Sequence, residues 1–137
     1  MATNLGIIED ALRELNVISE IDSASAEQGA HSLRALNRML EAWTENGIDL
    51  GYFKQSSTAD TIPIPEWAED GVIAKLAVRI APLYGATVSP ELAVAATDSY
   101  RMIMRKSIVD KGQVSDMRYQ PAGEGKYRTG GRILTET

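Results

Sequence analysis

The residues able to do chemistry in this chain are few. The single histidine is His31, and there is no cysteine. Neither a disulfide framework nor a thiolate or histidine-rich metal centre can form within one chain. A nucleophile–histidine–acid set would have to use His31, which falls in the middle of a helical pattern and off its apolar seam, and so reads as a surface or interface residue. Adjacent carboxylates occur at Glu9/Asp10 and Glu69/Asp70, but neighbours on a helix point about 100° apart and do not converge on one substrate. Gly123, Gly125, Gly130 and Gly131 follow no strand and precede no helix, so no phosphate-cradling loop is formed. Arg101, Arg105 and Lys106 gather near the expected C-terminal end of a helix, where cations suit the dipole; phosphate contact is the lesser reading. The sequence therefore predicts no enzyme and no cofactor.

The charge balance restricts partners further. Net charge is −5. Residues 110–137 hold five basic and four acidic side chains, leaving −6 for the remainder. An acidic body lacks the basic face that a general duplex-DNA binder needs. It remains compatible with a protein that surrounds DNA without gripping it, since a repulsive wall lets a charged polymer slide. The first residues carry no basic flank or long apolar run of a signal peptide. Lys75 and Arg79 interrupt the best apolar stretch, so no membrane span is expected. A soluble protein kept in the cytoplasm of its producing cell is the expectation.

These side chains must be positioned by helices. The chain is centred on residues 66–85, where Ile73, Leu76, Ala77, Ile80 and Leu83/Tyr84 recur at three- and four-residue steps, with Val72 and Val78 widening the apolar surface. A helix apolar on more than one side needs cover from more than one side. Pro82 predicts a kink or a tightened last turn and Gly85 the helix end. A first helix is expected from about Asn4 to Leu15, capped by Thr3 or Asn4, with Leu5, Ile8, Leu12 and Leu15 on one face. Val17, Ile18 and Ile21 in the connector are expected to tuck beneath the bundle. Ser25 and Gln28 form a capping box for a second helix, whose Leu33, Leu36, Leu40 and Trp43 make a narrow seam ending at Gly47. Ser89, Pro90 and Glu91 open a fourth helix, with Leu92, Ala95/Ala96, Ser99, Met102/Ile103 and Lys106 on its face.

Two segments break the helical pattern. Residues 48–65 carry Gly51, a Ser-Ser-Thr run, two prolines and alternation at Thr61–Ile64; they are expected to form a projecting arm or short hairpin. Tyr52, Phe53, Ile62 and Ile64 are its candidate contact residues. From Gly112 onward five glycines and little periodicity predict an extended tail that orders on a partner. Its anchors are Met117, Arg118, Tyr119, Tyr127, Arg128, Arg132, Ile133 and Leu134. The fold class is thus all-α: a bundle of about four helices over 1–110 with an arm at 48–65, followed by a tail over 111–137.

Ala42-Trp43-Thr44-Glu45-Asn46-Gly47-Ile48-Asp49-Leu50-Gly51-Tyr52, followed by Leu76-Ala77-Val78-Arg79-Ile80-Ala81-Pro82-Leu83-Tyr84, resembles the tail accessory factor family of short-tailed bacteriophages, also called packaged-DNA stabilisation or head-to-tail adaptor proteins. Ala11–Val17 is similar to that family's first helix, and the resemblance covers roughly residues 5–105. It implies a structural virion protein at the head–tail junction, assembled in the bacterial host. Such a protein forms a ring of 12 copies beneath the portal protein, extends the channel for packaged double-stranded DNA, helps retain the genome, and gives further tail or nozzle proteins a platform. It also implies that the tail reaches onto the portal. A small cytoplasmic helical regulator or assembly chaperone, binding a partner through its tail, is the alternative reading.

Overall fold

The computed structural model describes residues 2–119, with side chains to Ile108. Four helices, α1 (Asn4–Glu14), α2 (Ala26–Glu45), α3 (Glu66–Ile80) and α4 (Pro90–Tyr119), make an all-α fold. The helix α3 touches each of the other three, as an all-round apolar helix requires. Val72, Leu76, Ala77 and Ile80 are fully buried along it, joined by Ala68. Gly71 lets α4 approach closely: a Cβ there would run into the Ile103 side chain and lie 3.2 Å from Ser99 Cβ. Beyond Ile80 the chain tightens into a 3-10 turn over Ala81–Tyr84, and Gly85 exits in the left-handed region. That is the outcome expected of a proline two residues past the last α-helical turn. Leu83, however, points outward.

The helix starts follow their local signals. Ser25 Oγ accepts from Gln28 N and Gln28 Oε1 from Ser25 N, closing the capping box. Ser89 Oγ caps α4 by accepting from Leu92 N, and Thr3 Oγ1 caps α1 by accepting from Gly6 N. Gly47 leaves α2 at φ 92°, as its position after the last helical turn predicts. Trp43 is buried and meets Tyr100 of α4 edge-to-face, with ring centroids 5.1 Å apart.

Three expectations are corrected. The segment 48–65 does not project; it is a strap laid over the bundle. Ile62 and Ile64 are buried in the core. Ile62 N donates to Ala2 O, Thr61 bridges Thr3, and the first amides of α1 donate to strap carbonyls (Asn4 N to Asp60 O at 2.9 Å, Leu5 N to Thr58 O at 2.8 Å). The alternation at 61–64 thus serves extended chain pairing with residues 2–3, not a hairpin, and it turns both isoleucines inward. In the connector, Val17 and Ile18 pack against the core but Ile21 is 92% exposed. Finally, α4 runs through Gly112 to Tyr119. One glycine costs a helix about 1 kcal/mol; the first residue after it that cannot continue a helix is Pro121. The cluster Arg101, Arg105 and Lys106 is therefore mid-helix, away from the terminal carbonyls.

Candidate functional site

Some ionisable side chains are engaged in structure, and Asp10, Arg13, Glu14 and Asp70 line one open groove between α1, α3 and α4. His31 is exposed, its Nδ1 3.3 Å from Arg34 Nη1. Glu9 and Asp10 share Arg13, with contacts of 3.9 and 3.3 Å. Arg13 also donates to the carbonyl oxygens of Ser19 and Asp22, while Glu9 Oε2 accepts from Ala24 N. This set fastens the connector to α1. Among the described residues no three potential ligands come together to hold a metal ion, and no helix is long and apolar enough to cross a membrane.

What the fold does build is the strap's mount. Asn37 lies on the apolar seam of α2 between Leu36 and Leu40 and is buried. Its Nδ2 donates to Gln55 O at 2.9 Å, and its Oδ1 accepts from Gln55 N at 2.9 Å and from the Tyr52 hydroxyl. Gln55 Oε1 in turn accepts from Asn4 Nδ2 at 3.0 Å, and Asn4 Nδ2 also donates to Ser57 O. Burial, then the nearby Glu41 charge, push the Tyr52 phenol up to about 12, against a smaller lowering by the Gln55 backbone hydrogen bond. Asn37 and Gln55 were not among the sequence candidates. The available signal was a polar residue on an otherwise apolar 3-4 seam, which demands a partner when buried.

The mount decides what the strap presents. Of the four arm candidates, Ile62 and Ile64 are core, Tyr52 is half-buried, and only Phe53 offers large apolar surface, 66% exposed. Phe53 stands in a shallow groove with Ala42 and Tyr52, rimmed by Glu41, Glu45 and Lys54. The second outward surface is α4. Its buried side is Leu92, Ala96, Ile103 and Ser107; opposite run Val94, Asp98, Arg101, Arg105 and Ile108, all exposed and spaced 4-3-4-3. Lys106 lies beside this stripe with its Nζ 5.1 Å from the Trp67 ring centroid, and Lys75 sits over Tyr100 at 4.9 Å. Of the tail candidates, Met117, Arg118 and Tyr119 fall on the last turn of α4; Tyr127, Arg128, Arg132, Ile133 and Leu134 lie outside the described residues.

No curated protein matches the chain significantly. The family model described as P22 tail accessory factor matches residues 1–130, nearly the whole chain. The chain therefore belongs to the P22 tail accessory factor family, a family of structural phage-tail components that work in contact with other virion proteins.

Proposed function

We propose that this protein is a head-to-tail adaptor. In this reading, copies of the bundle form a ring of 12 beneath the portal protein, extend the channel for packaged double-stranded DNA, help retain the genome, and support further tail or nozzle proteins. The observation that carries it is a charge division within a chain matched by the family through residue 130. Residues 1–98 hold fifteen acidic and six basic side chains, −9, and residues 99–137 hold four acidic and eight basic, +4. An acidic bundle suits a channel wall that repels phosphate and lets DNA pass. The basic remainder suits contact with other subunits, a neighbouring copy along α4 and a second component beyond it.

In this assignment Met117, Arg118 and Tyr119 at the end of α4, with Tyr127, Arg128, Arg132, Ile133 and Leu134, contact the portal, and Tyr52 and Phe53 face a neighbour or a tail protein. The entropic cost of ordering the tail is offset only on the portal, so assembly is sequential and the isolated chain remains monomeric. The test is co-sedimentation with the portal ring. A chain ending after Tyr119 should lose binding while its far-ultraviolet dichroism per residue stays helical. Binding at full strength by that shortened chain would refute the tail's role.

A further inference from the structure

We infer that the ring contact pairs the outer stripe of α4 on one copy with the outer stripe of α2 on the next, in parallel and in one register; this rests on the adaptor-ring reading. The stripes carry opposite charge patterns at identical spacing. On α4 the order is Asp98, Arg101, Arg105; on α2 it is Arg38, Glu41, Glu45. Both follow 3-4 steps, so negative-positive-positive meets positive-negative-negative, with Met102 falling opposite Ala42. All eight side chains are exposed. Neither arginine of the α4 triplet is in an ion pair among the described residues. The apolar parts of the two surfaces, Val94, Met102 and Ile108 on one and Phe53 on the other, flank the charged steps.

The fold supplies the direction. Within one copy Trp43 packs on Tyr100, and Asp49 N donates to Ser107 Oγ at 3.2 Å. Lys75 over Tyr100 and Lys106 over Trp67 set α4 antiparallel to α3. Tyr84, just past α3, donates to Gln28 O at the start of α2, while Lys75 shares a groove with Trp43 near its end. So α2 is also antiparallel to α3, and α2 and α4 run the same way. Copies related by rotation about an axis along these helices keep that sense, so α4 meets the neighbour's α2 in parallel. Like charges set opposite each other cost several kcal/mol, so any shift of one step along the stripe is disfavoured.

The chain has no cysteine, so introduced thiols report without background. Chains carrying only Ala42→Cys and only Met102→Cys would be mixed, assembled on the portal ring, and treated with a short bismaleimide. The inference predicts a mixed dimer of one of each, and none from either variant alone. A chain with both cysteines should give a ladder up to the closed ring. Reversing Arg101 and Arg105 to Glu should raise the concentration needed for assembly by roughly tenfold or more, and adding Glu41→Arg and Glu45→Arg to the same chain should restore it. A ring of the right mass that gives no mixed crosslink, or same-variant crosslinks only, overturns this register and leaves the adaptor reading standing. Failure of the unaltered chain to assemble on the portal overturns both.

Discussion

Replacing Asn37 by Ala should release the strap. In the folded protein that one side chain satisfies Gln55 N–H and C=O at 2.9 Å each and accepts the Tyr52 hydroxyl. Gln55 is buried, so alanine leaves both of its backbone groups without a partner. A buried polar group stranded in this way costs about 1–3 kcal/mol. Two of them, with partial relief by entering water, put the loss at about 3 kcal/mol. With a urea slope of about 2 kcal/mol/M, the unfolding midpoint should fall by about 1.5 M at unchanged slope. Tyr52→Phe removes only one hydroxyl from a half-buried site, and should cost about 1 kcal/mol or less. The assay is urea unfolding of the three proteins followed by dichroism. A loss below about 0.5 kcal/mol for Asn37→Ala, or one equal to that of Tyr52→Phe, would refute the claim that Asn37 mounts the strap.

Tyr52 supplies a pH prediction. Its phenol is raised from 10.0 to about 12 in the fold, so the unfolded chain ionises first as pH rises. The stability this group contributes is fully present below pH 10 and is lost as pH rises from 10 towards 12; ultraviolet titration should show one phenol near 12, missing in Tyr52→Phe. Gly71→Ala should destabilise the α3–α4 contact by about 1–3 kcal/mol despite alanine's better helix propensity. Adding Ile103→Val, which removes the methyl the new Cβ meets, should recover part of that loss in a thermal-melt double-mutant cycle. Changing Tyr119 and Tyr127 together to Ala should abolish portal binding with helicity intact; unchanged binding would discard them as anchors.

Much of the fold was legible because its signals are local. Ser25 with Gln28, Ser89 with Pro90, and Pro82 with Gly85 each state a helix boundary within four residues, and the structure follows each one. The central place of α3 was legible for the same reason: residues 72–80 are apolar on too many sides to border water. The strap was not. Its register depends on residues 2–5 meeting 58–62 and on Asn37 meeting Gln55, pairings across 18 to about 60 positions that leave no local pattern. The loop composition of 48–65 described its irregular backbone correctly and carried no information on where it lies. Gly112 reads locally as a stop, yet α4 continues past it to Tyr119, because a single glycine is only a modest cost. Of the candidate surfaces, Phe53 was visible as an arm aromatic. The α4 and α2 stripes needed the buried faces first, since only those fix which 3-4 row points outward.

The most direct test of the central claim is the mass and symmetry of the complex formed when this chain is added to the portal ring, by native mass spectrometry or electron microscopy. A head-to-tail adaptor should give a closed ring of 12 copies, one per portal subunit, and a monomer when the portal is left out. A stable monomer or dimer that ignores the portal, or a fixed low stoichiometry with no ring, would contradict it and favour a helical regulator or assembly chaperone.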